Sequence, residues 1–277
     1  MLVLFFIFYG LFKLVTWGIS QKHTQYMKIY DVGQGDAVYL KLKEVNVLID
    51  GGPDYIADYL LSQEFIFPFC NLDYLVLTHP HADHLVGLLR TMQRCNIRNV
   101  IFNDINYHSA LFDTFKGLIG AKTRVITAKA GDHILTESGV DIFTLWPSSN
   151  QLAGSLLSRQ VTNANDYSIV LLVDLGTFEI LLTGDAEKEN FARINSKLLS
   201  SIDGRLEVLK VSHHGSRDAL NTSFLTGLNP ELCIISSGIG NKYKHPNKEV
   251  LEFFESIKCK VQNTAQEGTI EVSMDKM

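Results

Sequence analysis

In this chain of 277 residues, basic residues are not in excess, and proline, cysteine and long apolar runs are scarce. Each of these features would have indicated a particular class of protein. It has no excess of basic residues, because 25 lysines and arginines stand against 30 aspartates and glutamates, a net charge of −5. This balance excludes a strongly basic coat for nucleic acid, although it is compatible with a local basic patch. Proline is scarce, with 6 residues, and no proline- or glycine-rich linker divides the chain. We therefore predict a single domain over residues 26–277.

Cysteine is also scarce. The four cysteines stand far apart, at Cys70, Cys95, Cys233 and Cys259, and no two form a Cys-x-x-Cys pair. This spacing excludes a disulfide-dense scaffold and a zinc knuckle. We expect the four cysteines to be buried as small apolar residues.

Long apolar runs are missing after the N-terminal segment, residues 1–20. Within it, Met1–Ile19 is apolar except for Gly10, Lys13, Thr16 and Gly18. A membrane-spanning helix needs about 20 apolar residues, and Lys13 divides this run. The run also lacks the early positive charge and the small-residue cleavage site of a signal peptide. A poorly cleaved signal, a membrane anchor, the stub of a longer membrane protein and a buried helix all stay open. We predict membrane association through residues 1–19, and hence a membrane-associated or exported protein with a water-soluble body.

The rest of the chain alternates short β-branched runs with helical patterns. The predicted strands are Met27–Val32, Ala37–Leu42, Asn46–Ile49, Tyr74–Leu77, Asn99–Phe102, Arg124–Ile126, Val140–Trp146, Ser168–Val173, Glu179–Leu182, Leu206–Val211, Leu232–Ile235 and Thr269–Val272. The predicted helices are Pro53–Gln63, Leu85–Met92, Leu111–Leu118, Ala186–Leu199 and Asn247–Ile257. Residues Gln151–Asn165 are polar and poorly periodic, which predicts a long loop that faces the substrate. Strands with helices between them in both halves predict two sheets packed face to face, with helices outside.

Four metal-ligand side chains follow the predicted strand Tyr74–Leu77. They are His79, His81, Asp83 and His84, within six residues. A chain that leaves a strand in a tight turn can aim alternate side chains at one point, so His79 and His81 can share one metal ion. Asp83 and His84 can then serve a second. Imidazole nitrogen with carboxylate oxygen suits Zn²⁺, Mn²⁺ or Fe²⁺, and we predict a metal site here.

The pattern His79-x-His81-x-Asp83-His84 resembles the metal-binding signature of the metallo-β-lactamase superfamily. Three further motifs at predicted strand ends agree with it in order: Asp50-Gly51-Gly52, Leu182-Thr183-Gly184-Asp185 and Val211-Ser212-His213-His214-Gly215-Ser216. The resemblance implies an α+β fold, a four-layer αββα sandwich of two packed mixed β-sheets with helices outside. It implies that Asp50 supports the turn that holds the histidines and that Asp185 bridges two divalent metal ions. His213 or His214 would complete the second metal's ligands; we favour His213, the first of the pair.

A narrower resemblance covers Tyr26 to Val272. The motifs Asp31-Val32-Gly33-Gln34-Gly35-Asp36, His213-His214-Gly215-Ser216 and His245-Pro246 are similar to the C-terminal hydrolase domain of ComEC-type DNA-uptake proteins. This resemblance implies hydrolysis of a phosphodiester by metal-activated water, with single-stranded DNA as substrate and a membrane channel component as partner. Gly33 and Gly35 fit a tight turn that would let Asp36 face the site.

One departure from the superfamily pattern concerns the first metal. Many members carry a further histidine before the bridging aspartate, where this chain reads Asn163-Ala164-Asn165-Asp166-Tyr167-Ser168. Asn165 or Asp166 can supply an oxygen ligand, or water can take that place. ComEC-type domains resemble this sequence in lacking the histidine. The cofactors implied are thus two divalent ions, Zn²⁺ or Mn²⁺, and an oxygen ligand would shift the preference toward Mn²⁺.

Substrate binding is predicted from residues around the last two motifs. We assign Ser216, Arg217, Lys242 and Tyr243 to the substrate, because guanidinium suits phosphate and an exposed tyrosine can stack a base. Together with Asp83 and Asp185, His245 is a predicted catalytic residue that stabilises developing charge or protonates the leaving group. The alternative for the Lys242–His245 stretch is a solvated loop. The rival functions are hydrolysis of small esters, lactams or thioesters, and a non-catalytic metal-stabilised module in DNA uptake.

Overall fold

The computed structural model describes residues 25–66, 69–136, 139–157, 160–200, 202 and 204–274. The predicted membrane segment, residues 1–19, lies outside the described residues. Within the described ranges, no helix is both long enough and apolar enough to cross a bilayer.

Two seven-stranded sheets form the centre of the fold. The first has the strand order β14-β1-β2-β3-β4-β5-β6, and the second has the order β13-β12-β11-β10-β9-β8-β7. The strands of the first sheet are β1 (Gln25–Ile29), β2 (Val38–Leu42), β3 (Val45–Ile49), β4 (Asn71–Val76), β5 (Asn96–Ile101), β6 (Arg124–Ile126) and β14 (Ile270–Ser273). Those of the second are β7 (His133–Leu135), β8 (Asp141–Trp146), β9 (Val170–Asp174), β10 (Glu179–Leu182), β11 (Val208–Lys210), β12 (Leu232–Ile235) and β13 (Lys260–Asn263). Both sheets are mixed: pairing is parallel from β3 to β6 and from β10 to β13, and antiparallel elsewhere.

The core lies between the sheets because both faces of each central strand are buried. In β10, Ile180 joins the cluster between the two sheets, whereas its neighbour Leu181 faces the outer helices. The same alternation separates Val208 from Leu209 in β11. Side chains alternate across a strand, so a strand buried on both sides needs a continuous apolar run.

Helices cover the outer face of each sheet. The helices of the described residues are α1 (Ile56–Ser62), α2 (Ala82–Arg94), α3 (Ala110–Gly117), α4 (Ser149–Leu157), α5 (Lys188–Phe191), α6 (Thr222–Leu228), α7 (Lys248–Ser256) and α8 (Thr264–Glu267). On the first sheet, α1, α2 and α3 bury Leu61, Leu88 and Phe112. On the second sheet, α5, α6 and α7 contribute to a separate cluster of buried side chains. The predicted four-layer sandwich of two mixed sheets with helices outside is thereby confirmed.

Two local predictions were wrong. The expected loop Gln151–Asn165 contains most of α4, followed by a 3₁₀ turn over Ala164–Tyr167. The helix expected over Ala186–Leu199 is broken into α5 and a 3₁₀ turn at Ser196–Leu199. The Asn195 side chain accepts a hydrogen bond from the Lys197 amide and so starts a new turn there.

The four cysteines are buried, as expected, but they also form two disulfides, which the sequence did not predict. Cys70 bonds to Cys95 across a Cα–Cα distance of 4.7 Å, and Cys233 bonds to Cys259 across 6.0 Å. Each disulfide joins neighbouring parallel strands, β4 to β5 and β12 to β13, at or just before the strand starts. Residues about 25 apart in sequence therefore become neighbours, which spacing in the sequence does not reveal.

The fold brings four loops next to one another. β3 and β4 are adjacent parallel strands of the first sheet, and β10 and β11 are adjacent parallel strands of the second. Their carboxyl ends carry the four motifs found in the sequence: Asp50, His79–His84, Asp185 and His213–His214. The packing of the sheets brings these ends together.

Candidate metal centre

His79 and His81 lie in the turn between β4 and α2, where His81 is the N-cap residue of the helix. His79 Nε2 and His81 Nδ1 are 3.0 Å apart, so the two rings present a nitrogen toward the same point. His79 is fully buried, and its other ring nitrogen, Nδ1, lies 3.1 Å from Thr78 Oγ1. This is the arrangement of two nitrogen ligands for one cation.

Asp83 and His84 occupy the first turn of α2 and meet residues from the second sheet. His84 Nε2 lies 3.3 Å from Asp185 Oδ2. His214 Nε2 lies 3.5 Å from both Asp83 Oδ2 and Asp185 Oδ2. The sequence-predicted donors of the two halves therefore meet at one place, with Asp185 also 3.9 Å from His79 Nε2.

The turn that carries Asp185 is tightly packed. Gly184 has a φ of 49°, and a Cβ there would come within 2.4 Å of Ser168 Oγ. The same Ser168 hydroxyl accepts a hydrogen bond from the Asp185 amide at 2.9 Å and lies 3.4 Å from His79 Nδ1. Ser168 was missed as a site residue in the sequence, where it read only as the start of a strand.

The two neighbouring histidines after β11 have different surroundings. Both have left-handed backbone conformations, with φ of 48° at His213 and 55° at His214. Such conformations are strained for residues other than glycine and are held by the surrounding structure. His214 is buried between both carboxylates, whereas the His213 side chain is 24% exposed and its Nε2 lies 3.8 Å from Asp185 Oδ2. The geometry favours His214, rather than His213, as the metal-facing member of the pair.

Asp50 stabilises the turn between β4 and α2 through hydrogen bonds. Its Oδ1 accepts a hydrogen bond from the Thr78 amide at 2.8 Å, and its Oδ2 accepts one from the Thr78 hydroxyl at 2.7 Å. His84 Nδ1 lies 2.8 Å from the same Oδ2. A carboxylate at Nδ1 fixes the tautomer that leaves Nε2 free for a metal, which is the supporting role expected for Asp50.

Burial and close contact change the pKa values of the carboxyl and imidazole groups in the cluster. Although burial opposes it, the nearby His214 and His84 rings hold the pKa of Asp185 well below its usual range. Burial also opposes ionisation of Asp83, but contact with His214 keeps its pKa low. Burial lowers the pKa of His79 and, to a smaller extent, that of His81. Asp83 and Asp185 are therefore ionised and the rings of His79 and His81 neutral, which are the forms that bind cations. Although burial opposes it, Asp185 raises the pKa of both His84 and His214, so these two rings give up a proton when they bind a cation.

A divalent cation fits these donors. His84 Nε2, His214 Nε2 and Asp185 Oδ1 are buried, and within the described part of the chain they have no hydrogen-bond partner. Buried polar atoms in native proteins are almost always satisfied, so three such atoms at one point indicate an absent ligand. His79 lies beside His81. The possible ligand groups among the described residues overlap: His79 with His84 and Asp185, Asp83 with His84 and His214, and Asp36 either with Asp185 and His214 or with Asp50 and His84. Imidazole and carboxylate can hold Zn²⁺, Mn²⁺ or Fe²⁺.

The oxygen ligands expected from Asn165 and Asp166 are placed differently from each other. Asn165 is buried, its Nδ2 donates to Glu187 Oε1 at 3.1 Å, and its Oδ1 has no hydrogen-bond partner in the described residues. The backbone carbonyl of Asp166 accepts a hydrogen bond from Trp146 Nε1 at 2.8 Å. Burial and the neighbouring Glu187 raise the pKa of the Asp166 carboxyl, and it belongs to none of the cation-binding groups found among the described residues.

A cavity of about 320 Å³ opens over the cluster. It is lined by Gln34, His81, Ala82, Asp83, Asp185, His213, His214, Tyr243 and His245. The His245 ring stacks on Tyr243 with centroids 5.7 Å apart and meets His213 edge-on at the same distance. Lys242 Nζ lies 4.9 Å from the centroid of Tyr243, whose side chain is exposed. Gln34 was missed in the sequence, although it lies in the motif that resembled ComEC-type domains.

Of the four predicted substrate residues, only Tyr243 lines this cavity; Lys242 lies beside Tyr243, and Ser216 and Arg217 lie elsewhere. Ser216 is buried, and its hydroxyl accepts a hydrogen bond from the Asp218 amide at 3.2 Å. Arg217 is exposed, and its backbone amide donates to Asn247 Oδ1 at 2.8 Å. Gly215, which precedes them in the chain, packs so closely on Pro246 that a Cβ would lie 2.6 Å from the proline Cβ.

Comparison with curated proteins gives bacterial relatives at 26% to 29% identity. The chain is 28% identical over 262 residues to ComE operon protein 3 of Bacillus subtilis, covering 87% of this chain and 32% of that protein. It is 29% identical over 259 residues to Recombination protein 2 of Haemophilus influenzae, covering 91% and 29%. Competence protein ComA of Neisseria gonorrhoeae is 26% identical over 256 residues, covering 90% and 32%. The chain thus spans about a third of the length of these relatives.

Solved structures share the fold at low sequence identity. Tm1679, a metal-dependent hydrolase of the beta-lactamase superfamily, aligns with a TM-score of 0.56 at 12% identity, covering 90% of this chain and 99% of that one. CmlA, a diiron beta-hydroxylase from Streptomyces venezuelae, aligns with a TM-score of 0.60 at 13% identity, covering 92% and 55%. The family description "Metallo-beta-lactamase superfamily" matches residues 30–236. The resemblance inferred from the sequence is confirmed, and this chain belongs to the metallo-beta-lactamase superfamily.

Proposed function

We propose that the chain is a metal-dependent phosphodiesterase that cleaves single-stranded DNA. The superfamily fold implies a divalent metal ion and supports hydrolysis; the substrate is the proposed part. The observation that carries it is the cavity over the metal-ligand cluster, whose wall continues from His245 to the exposed Tyr243, with Lys242 beside that ring. The names of the relatives, which refer to competence and recombination, favour DNA as the substrate.

The residues of the cavity suit a single nucleic-acid strand. Tyr243 is 53% exposed, so a base can stack on its ring. Lys242 lies next to the same ring and can contact a phosphate, as a point charge. Stacking and phosphate contacts are both independent of sequence, and neither needs a highly basic protein.

The chemistry would be divided between the cluster and His245. Bound divalent ions supply a water of lowered pKa as nucleophile and neutralise charge on the attacked phosphoryl group. Asp185 Oδ2 lies within 3.9 Å of Nε2 of His79, His84 and His214, so Asp185 would help these rings to hold the cations. His245 lines the same cavity, and its Nδ1 has no hydrogen-bond partner in the described residues. As a residue of the cavity wall, His245 can form a hydrogen bond with a substrate oxygen.

The main experiment is a substrate comparison with the purified full chain. After chelation, the protein is loaded with Mn²⁺ or Zn²⁺ and assayed on labelled single-stranded and duplex DNA, bis-p-nitrophenyl phosphate, nitrocefin and a thioester. We expect cleavage of single-stranded DNA and the phosphodiester, and none by Asp185→Ala. Turnover of nitrocefin or the thioester without any phosphodiester would favour the small-substrate rival. Metal and DNA binding without turnover of any substrate would favour a non-catalytic module.

A second experiment tests the substrate wall. Lys242→Ala and Tyr243→Ala should weaken single-stranded DNA binding, and the lysine variant should lower the slope of log affinity against log salt by about 0.7. Arg217→Ala should have a smaller effect, because Arg217 does not line the cavity, whereas Lys242 lies beside the cavity-lining Tyr243. Lys122→Ala, which removes a lysine from a different cavity, is the matched control. Equal losses in all four variants would contradict the proposed path.

A further inference from the structure

A buried ion pair lies directly beneath the candidate metal centre. Lys210, the last residue of β11, pairs through Nζ with Asp36 Oδ2. Both side chains are nearly inaccessible, 2% exposed for the lysine and 3% for the aspartate. Lysine is almost never fully buried, and burying two charges is costly even when they are paired. A pair in this position therefore needs a reason beyond stability.

Asp36 contacts one of the metal-facing histidines. His214 Nδ1 donates to the Ser236 carbonyl at 3.0 Å and lies 3.3 Å from Asp36 Oδ1. His84 has the equivalent surroundings, with Asp50 Oδ2 at its Nδ1. Each of the two rings that face Asp185 through Nε2 thus has a carboxylate behind it. In both, the negative charge favours hydrogen on Nδ1 and a free lone pair on Nε2.

Lys210 contacts the turn that carries the central carboxylate. Its Nζ donates to the Gly184 carbonyl at 3.3 Å, and Gly184 precedes Asp185. That carbonyl also accepts a hydrogen bond from the His213 amide at 3.2 Å. A single ammonium group thus connects the Asp185 turn, the histidine turn and Asp36.

The backbone of Asp36 is fixed against the first sheet. Its amide donates to the Asp83 carbonyl at 3.1 Å, and its carbonyl accepts from the Gly52 amide at 2.8 Å. Gly35 approaches α2 so closely that a Cβ there would lie 2.3 Å from the Asp83 carbonyl oxygen. The loop is also joined to the second sheet, because Ser236 Oγ donates to the Gly35 carbonyl at 2.6 Å. The ion pair therefore bridges the two halves of the cluster.

We propose that Asp36 and Lys210 are positioning residues, which hold His214 and Asp185 at the separation that a bound cation requires. Asp36 sets the ring of His214, and Lys210 balances the charge of Asp36 while it fixes the Asp185 turn. This inference rests on the metal-binding part of the proposed function and not on its substrate. It explains why the motif Asp31–Asp36 ends in an aspartate that the cavity itself does not use.

The test removes both charges at once in the full chain. Removing one partner of a buried ion pair leaves the other uncompensated, whereas removing both is often tolerated. Asp36→Asn with Lys210→Met should therefore fold, as judged by circular dichroism and thermal unfolding without metal. We expect its Co²⁺ affinity to fall about 10- to 100-fold and its visible Co²⁺ spectrum to change. The spectrum reports ligand geometry, which a purely structural role would not alter.

The matched control is the double change Asp58→Asn with Arg94→Met, which removes an ion pair between α1 and α2 away from the cluster. Its Co²⁺ spectrum should equal that of the unchanged protein. Unchanged Co²⁺ affinity and spectrum in the Asp36–Lys210 variant would overturn the proposal, as would equal changes in the control or absence of Co²⁺ binding by the unchanged chain. If the double variant fails to fold, Asp36→Asn alone is measured by the same criteria. Loss of phosphodiester cleavage alone would bear only on the proposed function.

Discussion

At the scale of single residues, His213 and His214 both have a left-handed backbone conformation, but their side chains have different surroundings. His214 Nε2 lies within 3.5 Å of two carboxylates, whereas His213 lines the cavity and contacts His245. We predict that His214→Ala lowers the bound metal of the dialysed protein, measured by plasma mass spectrometry, whereas His213→Ala leaves it near the unchanged value. The reason is that a cation loses a buried ligand only in the first variant. The reverse result would assign the metal to His213.

His245 gives a prediction about pH. Burial, with the nearby rings of His213 and His214, lowers its pKa to about 4. The imidazole is then neutral above about pH 5.5, so its titration cannot produce a change in kcat/KM between about pH 6 and 8. We expect His245→Gln to retain the shape of the pH profile in this range while lowering its height, because glutamine keeps a hydrogen-bond donor. A pH limb that disappears in this variant would show that His245 titrates there.

At the scale of elements, the turn between β4 and α2 depends on a residue from β3. The Asp50 carboxylate accepts hydrogen bonds from the Thr78 amide and the Thr78 hydroxyl, and it lies 2.8 Å from Nδ1 of His84. Asp50→Asn should weaken metal binding by about 10- to 100-fold in a competition titration while the fold persists, because one amide hydrogen would face a donor. Asp54→Asn, an exposed change in the same loop, is the control. Equal affinity in both variants would contradict the supporting role.

The disulfides give a second prediction at this scale. Each joins the beginnings of two adjacent parallel strands and closes a loop between residues 25 or 26 apart. Reduction should lower the free energy of unfolding by about 2–4 kcal/mol for each bond, because the unfolded chain gains freedom. Urea unfolding with and without reductant measures this, and a thiol count confirms reduction. An unchanged midpoint in fully reduced protein would contradict it.

At the scale of the whole molecule, two buried tyrosines in or next to the first sheet make the fold more stable at neutral pH than at alkaline pH. Burial, with Tyr26 and Glu64 as further causes, raises the pKa values of Tyr30 and Tyr39 well above the ordinary value near 10. A raised tyrosine pKa contributes stability that is complete below about pH 10 and is lost as the pH rises further. We expect the free energy of unfolding to fall by roughly 1.4 kcal/mol per pH unit for each of these tyrosines above that point.

Urea titrations at several pH values between about 8 and 11 measure this loss. Tyr30→Phe keeps the ring and removes one ionisable hydroxyl, so its stability should fall less steeply over the alkaline range. A slope equal to that of the unchanged protein would mean that Tyr30 ionises alike in the folded and unfolded chains.

Local sequence patterns are enough to predict the layered fold and the residues that meet at its centre. Strand runs buried on both faces predict packed sheets with outer helices, and Asp50, His79, Asp185 and His214 each follow a recognisable strand. These features are local: alternation within a strand and residue types at its end can be read over a few positions.

Which of these residues face one another depends on the packing of the whole fold. It separated His214 from His213 through left-handed turns, paired the cysteines across adjacent strands, and brought Lys210 to Asp36 beneath the cluster. It also removed Ser216 and Arg217 from the cavity wall and turned part of the expected loop into α4. Each of these outcomes depends on contacts between segments distant in sequence. Such contacts are fixed by strand register and sheet packing, which no local pattern contains.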